Sequence, residues 1–402
     1  MKLTENLYYV GVNDRTKGLF EGLWPLPEGI SYNSYLLVDD HVALIDTVDA
    51  AFFDTFLSEI HRAIGHRPID YLIINHMEPD HSGAINLICR EYPDITLVGN
   101  VQTQRMIDGF YRTGGNRLMV DENDVLTLGK YRLRFHLIPM VHWPETMVTF
   151  DFKRGILFSG DAFGCFGALN GGVIDKHIVS TRYWDEMIRY YSNIVGKYGP
   201  QVQKALHKLK ELDIRMVCPA HGPVWTEEFP RVLKLYDRLS RYEADNGLVI
   251  CYGSMYSNTA RMAEVIARAA SKAGVRDIVL HDVSQKHHSY ILADLFRHRG
   301  LMVGAPTYNG DLFPEMEALI KKIVARGIRN RLFSFFGSFT WAGQSLRRIA
   351  ALTEAARFEP VGSPIEMKQG RLEEVYDACQ ALGRLMAARL KEPVDEKQAK
   401  EK

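Results

Sequence analysis

The sequence predicts an α/β protein in two parts: a first half of packed sheets with helices outside them, and a second half built as a doubly wound parallel sheet. Three observations predict it. The 402 residues, 46% of them hydrophobic, can bury a large core and are more comfortable as two domains than as one. Up to about Asn246 short β-rich runs dominate, among them "SYLLV", "VALIDTV", "YLIIN", "ITLVGN", "YRLRFHLI", "MVTFDF" and "GILFSG", with few helical segments between them. After Gly247 the pattern alternates strictly.

In that second half, strand-like "GLVICY" leads to helix-like 258–273, "DIVLHDV" to 288–298, "GLMVGAP" to 313–326, "RLFSFFG" to 344–356, and "ARFEPVG" to 371–391. Five βα units in succession are the signature of a parallel sheet wound on both faces. The segment "EEFPRVLKLYDRLSRYEADN" (227–246) reads as a last helix plus linker, so the domains are expected at 1–246 and 247–392. Residues 393–402, nearly all charged or polar, are expected to be a disordered tail.

Lys+Arg and Asp+Glu balance at 49 each, which removes nucleic-acid and acidic-membrane binders from consideration. The start "MKLTENLYYVGVND" carries Glu5 and an apolar run that stops at Asn13. No later window is apolar for the length of a membrane span, so a soluble cytoplasmic protein is expected. Cys89, Cys165, Cys218, Cys251 and Cys379 are odd in number and far apart, which fits scattered reduced core thiols rather than disulfides or a C-x-x-C metal pair.

The stretch "YLIINHMEPDHSGA" runs from a buried strand straight into His76, Glu78, Asp80 and His81. Three further residues also follow strand-like runs: His142 after "FHLIPMV", Asp161 after "GILFSG" and His221 after "IRMVCPA". Strand ends in a layered fold converge on one rim, so these seven could meet there. Four imidazoles and three carboxylates are too many for one ion and suit two, bridged by a carboxylate. Any single histidine is more often a satisfied core or surface residue, as His61, His66, His287 and His288 are expected to be. The cluster differs, because desolvating four ionisable groups at one strand end is costly without a cation.

The motif "HMEPDH" with His142, Asp161 and His221 resembles the metallo-β-lactamase-like superfamily, and Glu78 in place of the usual second histidine is similar to its flavodiiron branch. "INHMEPDHSG", "VHWPETM", "FSGDAFG" and "PAHGPVW" occur in order along the chain. The resemblance implies an N-terminal metallo-β-lactamase-like αββα sandwich, a C-terminal flavodoxin-like domain and two non-haem irons per chain. In that implied arrangement His76, Glu78 and His142 hold the iron nearer the flavin, Asp80, His81 and His221 hold the other, and Asp161 bridges them. A carboxylate in place of an imidazole makes the site more anionic and favours iron in its higher oxidation state.

The second half carries its own signal. After "GLVICYG", residues Ser254, Met255, Tyr256, Ser257, Asn258 and Thr259 lead into a helix, where N–H and O–H groups could surround a phosphate monoester. GxGxxG and GxxxxGK[ST] are absent, so FMN fits better than a dinucleotide or a triphosphate. Two later loops offer ring contacts: Pro306, Thr307, Tyr308 and Asn309, then Ser338, Trp341 and Gly343, with Thr340 where the flavodoxin pattern leads one to expect Gly.

The flavodiiron resemblance implies an oxidoreductase reducing O2 to water, NO to N2O, or both, with a diiron site fed by FMN. Tyr190 or Tyr191 in "IRYYSNI" is a candidate donor of a hydrogen bond to bound gas, and equally a helix-packing pair. Compact domains of this size have radii of gyration of roughly 18 Å and 15 Å, so a head-to-tail homodimer, or a dimer of dimers, would bring flavin and irons together across an interface. Electrons are expected from an external donor: rubredoxin, another redox protein or a reduced deazaflavin. Two competing readings are a binuclear zinc hydrolase with an appended flavodoxin-like domain, and an electron carrier or gas sensor with a vestigial metal site. All seven ligands being present argues against the second.

Overall fold

The computed structural model describes residues 1–393. It divides into two compact units, Met1–Ser240 and the chain from Arg241 onward. The expected boundary at 246/247 falls inside a strand, Asp245–Tyr252. The linker is shorter than expected because Tyr242 already belongs to the second unit: its ring packs 6.0 Å from that of Phe296, and its carbonyl accepts from the buried Arg331 guanidinium. The expected tail, apart from residue 393, lies outside the described residues.

The first unit is built on two mixed sheets with helices outside them, the αββα layering. One sheet has six strands, in the order Leu7–Tyr9, Tyr35–Val38, Val42–Ile45, Tyr71–Ile73, Thr96–Gly99 and Asn116–Met119. The other has five: Val125–Thr127, Arg132–Leu137, Met147–Asp151, Ile156–Gly160 and Met216–Pro219. Val42–Ile45, Met147–Asp151 and Ile156–Gly160 are buried along their whole length, which is why they read as unbroken rather than alternating runs. The last pair, Ile156–Gly160 with Met216–Pro219, is parallel, so both strands deliver their C-terminal residues to the same edge. Tyr71–Ile73 pairs in parallel with Val42–Ile45 and Thr96–Gly99 and delivers the His76 loop in the same way.

The second unit is a parallel sheet in the order Ile278–Asp282, Asp245–Tyr252, His298–Tyr308, Leu332–Phe339 and a divided edge. Strand order reverses between Asp245–Tyr252 and His298–Tyr308, the place where doubly wound sheets open a crevice at their carboxyl ends. Leu248, Ile250, Met262, Ile266, Met302, Phe336, Leu382 and Met386 form one core between the sheet and the helices Asn258–Lys272 and Leu372–Lys391.

The fifth strand departs from expectation. Instead of one run over "ARFEPVG", the edge consists of Glu359–Pro360 and Ile365–Lys368, both parallel to Leu332–Phe339. The Glu359 and Val361 N–H groups donate to the Arg331 and Phe333 carbonyls, so the Pro360 nitrogen lies on the open edge where no N–H is needed, and Gly362 then turns the chain at a φ of +68°. Pairing therefore stops and resumes further along.

Candidate metal centre and cofactor cavity

The seven ligand candidates come together at one end of the first unit's two sheets. The short helix Pro79–Ser82 begins with proline at its first turn, and this single turn places Asp80 and His81 beside the loop that carries His76 and Glu78. Ser82 Oγ donates to the Met77 carbonyl at 2.7 Å, and Thr47 donates to the His81 carbonyl through its backbone N–H at 2.7 Å, so the turn is tied down at both ends. Asp161 follows Ile156–Gly160 directly and His221 follows Met216–Pro219 by two residues. Gly222 has a φ of +76°, and a Cβ there would lie 2.3 Å from Cys165 Sγ, so only glycine lets the chain leave His221 in this direction.

Two sets of ligand atoms converge: His76, Glu78, His142 and Asp161 in one, Asp80, His81 and His221 in the other. In the first, His142 Nε2 lies 3.1 Å from Glu78 Oε2 and 2.9 Å from Asp161 Oδ2, with His76 Nε2 3.4 Å and 3.5 Å from the same oxygens. In the second, Asp80 Oδ2 is 3.4 Å from His81 Nε2 and 3.2 Å from His221 Nε2. Asp161 Oδ1 faces this second set, 2.9 Å from His81 Nε2 and 3.6 Å from His221 Nε2. The two oxygens of one carboxylate therefore serve different sets.

All seven residues are buried. The Nε2 atoms of His76, His81 and His221, Glu78 Oε2, both Asp80 oxygens and Asp161 Oδ1 have no hydrogen bond of acceptable geometry, although several lie within 3.5 Å of one another. Orphaned lone pairs that crowd together without pointing at a donor are what a cation-binding set looks like, and hard oxygens with imidazoles suit iron. The residues fit a binuclear centre.

Electrostatics tell the same story from the protein side. Burial alone would lower the His81 pKa, but the Asp80 and Asp161 carboxylates raise it to about 9. Burial likewise opposes and Asp161 and Glu78 outweigh it at His142, also raised to about 9, and His76 is raised well above its ordinary value. Burial pushes Glu78 and Asp161 up, yet the surrounding imidazoles hold both well below the carboxylate range. Without metal the cluster traps protons; a metal ion displaces them.

Sequence reasoning missed the residues that hold the ligands. Glu145 Oε1 accepts from His76 Nδ1 at 2.8 Å and from the Met77 N–H at 2.8 Å. Asp46, fully buried and with its pKa pushed up to about 6, chiefly by burial, accepts from the Asn75 N–H at 2.7 Å and its side-chain amide at 3.2 Å. His221 Nδ1 donates to the Ser31 carbonyl at 2.7 Å. A signal existed: Asp46 interrupts the apolar run "VALIDTV", and Glu145 stands three residues after His142. Both are carboxylates where burial is otherwise expected.

Tyr190 and Tyr191 separate cleanly. The helix Trp184–Tyr190 passes into a π-helical stretch, Tyr191–Val195. Tyr190 is buried with its ring 5.6 Å from that of His221 and its hydroxyl without a hydrogen-bond partner, whereas the Tyr191 ring packs 5.0 Å from Tyr236.

In the second unit a cavity of about 270 Å³ opens at the carboxyl ends of three strands. Of the loop residues expected there, Ser254, Met255, Tyr256, Asn258, Thr259, Pro306, Thr307, Tyr308, Asn309, Ser338 and Trp341 line it; Ser257 and Gly343 do not. Ser257 instead turns the chain with a φ of +62° and makes no side-chain cap, which leaves the first-turn amides of Asn258–Lys272 to other acceptors. A Cβ on Gly343 would meet the Glu366 carboxylate at 2.5 Å, so this glycine gives room to Glu366. Thr340, which stands where Gly is expected in the third loop, lines it too, and Ala342 and Gln369 join unforeseen. Thr307 Oγ1 accepts from the backbone N–H groups of Gln344 and Ser345 at 2.9 Å and 3.1 Å and so pins the second loop to the third. These hydroxyls, free amides and exposed aromatics fit a flavin mononucleotide.

Comparison with known proteins agrees with both halves. Residues 30–222 match the ODP family beta lactamase and residues 250–382 match the flavodoxin family. The chain is 30% identical over 391 residues to the anaerobic nitric oxide reductase flavorubredoxin of Shigella dysenteriae, covering 95% of this chain and 81% of that protein. It is 29% identical over 397 residues to the nitric oxide reductase of Moorella thermoacetica, covering 96% and 98%. Among solved structures, rubredoxin oxygen:oxidoreductase from Desulfovibrio gigas superposes with a TM-score of 0.94 at 28% identity, over 97% of this chain and 98% of that one.

Proposed function

The chain belongs to the flavodiiron proteins, and we propose from that membership and from the site that it reduces O2, NO or both at a diiron centre held by His76, Glu78, His142, Asp161, Asp80, His81 and His221. The observation that carries this reading is Asp161, whose two oxygens face two different histidine sets. A binuclear zinc hydrolase would use the same bridge; Glu78, a carboxylate in place of an imidazole, and the flavin cavity of the second unit favour the iron reading over it.

When bound, the iron pair supplies a place for a diatomic gas and FMN supplies electrons in pairs or singly. The chain's own residues do the rest. Glu78, Asp80 and Asp161 set an anionic environment that favours the more oxidised metal. Burial of every ligand keeps bulk water from competing for the gas. The Tyr190 hydroxyl, kept protonated by burial and by the nearby carboxylates and without a partner of its own, would donate a hydrogen bond to the substrate. Ser254 to Thr259, with the amides that open the helix Asn258–Lys272, would hold the flavin phosphate, and Pro306 to Asn309, Ser338 and Trp341 would flank its ring.

We also propose head-to-tail pairing of two copies. Tyr256 and Trp341 are 84% and 85% exposed beside the cavity, an aromatic surface of the kind a partner covers. An external donor, a rubredoxin, another redox protein or a reduced deazaflavin, would feed the flavin; one relative is named a rubredoxin oxygen:oxidoreductase. No helix of the described residues is long and apolar enough to cross a membrane, and the five cysteines are unpaired, which suits a reducing cytoplasm.

The deciding experiment measures iron and FMN in the purified protein and then follows anaerobic consumption of O2 and NO, side by side, with a chemical reductant. Iron, flavin and consumption of either gas are expected. Zinc at both positions after growth in iron-replete medium, with no gas consumed, would favour the hydrolase.

A further inference from the structure

The two histidine sets differ in what stands behind them. Behind His76 is a carboxylate: Glu145 Oε1 accepts from His76 Nδ1 at 2.8 Å, and Glu145 is fully buried. Behind His221 is a neutral group, the Ser31 carbonyl, at 2.7 Å. His81 Nδ1 has no hydrogen bond at all. Because Oε1 also accepts the Met77 N–H, it is an acceptor on both sides, so Nδ1 keeps its proton, and the proton a metal would displace is the one on Nε2, which faces Glu78 and Asp161. A second observation concerns the other oxygen. Glu145 Oε2 is buried with no hydrogen bond, so this anion lacks the set of donors that normally offsets burial of a charge. The carboxylate is offset at Oε1 by the Met77 N–H and by the His76 ring, which couples it to whatever positive charge that ring holds.

We propose that Glu145 is a positioning residue that makes the two metal positions unequal. By holding His76 in one tautomer and making it a stronger base, it renders the position formed by His76, Glu78, His142 and Asp161 the tighter of the two and the first to fill. The inference rests on the binuclear reading of the site. A merely structural role for Glu145, tethering the loop, is already shared by Asp46, which accepts from the Asn75 N–H at 2.7 Å and the His76 N–H at 3.4 Å. Charge on Glu145 adds what that tether does not: an electrostatic bias toward one metal.

Glu145→Gln separates the two roles, since a Gln oxygen can accept from His76 and Met77 while carrying no charge; Glu145→Ala removes both. The full chain, stripped of metal by chelation, is titrated anaerobically with Co(II) and followed by its visible absorption and by equilibrium dialysis. The wild-type protein should take up about two equivalents in two separable steps. In Glu145→Gln the first step should weaken by roughly ten- to a hundred-fold while the second stays in place, so that the steps merge. If Glu145→Gln keeps the wild-type separation, the proposal is overturned, whether or not Glu145→Ala folds. Wild-type uptake of a single equivalent would instead overturn the binuclear reading and the proposal with it.

Discussion

The four histidines and three carboxylates of the candidate metal centre each keep at most 8% of their surface exposed, whereas Tyr256 and Trp341 beside the candidate flavin cavity keep 84% and 85%. The centre is made of ionisable side chains brought in from both sheets of one unit and fixed by a further layer of buried carboxylates. The cavity is made of loop backbone, small hydroxyls and aromatic rims on a single sheet edge. A site that binds a bare cation must collect its own charges and shield them from water. A site that binds a preformed organic cofactor needs only to offer hydrogen-bond donors and flat surfaces at a favourable edge.

The largest way to break the contrast is Asp161→Ala. Because its two oxygens face different sets, the substitution should lose metal from both positions together and abolish gas consumption, while leaving flavin content unchanged. Metal analysis of the purified variant checks it. Retention of one full equivalent would remove the bridging role from Asp161.

The two regions should also answer pH in opposite senses once metal is stripped away. His81 and His142 are raised to about 9 from an unfolded value of about 6.5. Their contribution is fully present below pH 6.5 and is lost as pH climbs toward 9, on the order of a few kcal/mol in all. In the second unit, burial first and then Lys322 and His287 push His288 down to about 4. A neutral buried histidine loses its contribution in the other direction, as pH falls from about 6.5 toward 4. Hydrogen exchange corrected for intrinsic rates should therefore show the ligand loops loosening in alkali and the start of the helix His288–Arg297 loosening in acid. Reloading metal should abolish the alkaline limb, because the ion takes over from the protons. Persistence of that limb in the loaded protein would contradict the account.

At the cavity, Trp341→Ala and Tyr256→Ala should each weaken FMN binding by roughly fivefold, a stacking contribution of about 1 kcal/mol, with metal content untouched. Fluorescence titration of the flavin-free protein measures it. A loss of iron in either variant would mean that the two sites are not the independent constructions described above.

What the sequence disclosed follows the same division. His76, Glu78, Asp80 and His81 stand out because so many charges at a buried strand end have no cheap explanation, and the alternating βα grammar after Gly247 announces a parallel sheet. Backbone-based features were harder to read. Ser257 was expected to touch phosphate through its side chain, but it contributes a left-handed turn, and Gly343 yields space to Glu366. The edge strand divided because one positive φ, at Gly362, ends the first stretch of ladder, and it leaves the hydrophobic pattern unaltered. Glu145 and Asp46 escaped because their partners are a ring nitrogen and backbone amides distant in sequence; only burial of a carboxylate hinted at them.

Tyr190 and Tyr191 allow the smallest and most local test. They are neighbours in sequence, yet the turn into the π-helical stretch sends one toward His221 and the other toward Tyr236. Burial, then Asp161, raises the Tyr190 hydroxyl well above its ordinary pKa, so it stays a neutral donor across the working pH range. Removing that donor by Tyr190→Phe should cost about one charge-assisted hydrogen bond in the transition state, roughly a tenfold drop in kcat/KM for the gas. Iron and FMN content should not change, since the ring that fills the space beside Phe166 and His221 remains. Tyr191→Phe should leave kcat/KM within about twofold, because that ring serves packing on the far side of the helix. Gas-consumption kinetics on both variants, normalised to bound iron, decide between them. Equal losses in the two would place the effect in the helix rather than in the Tyr190 hydroxyl, and an unchanged Tyr190→Phe would sink its part in substrate binding.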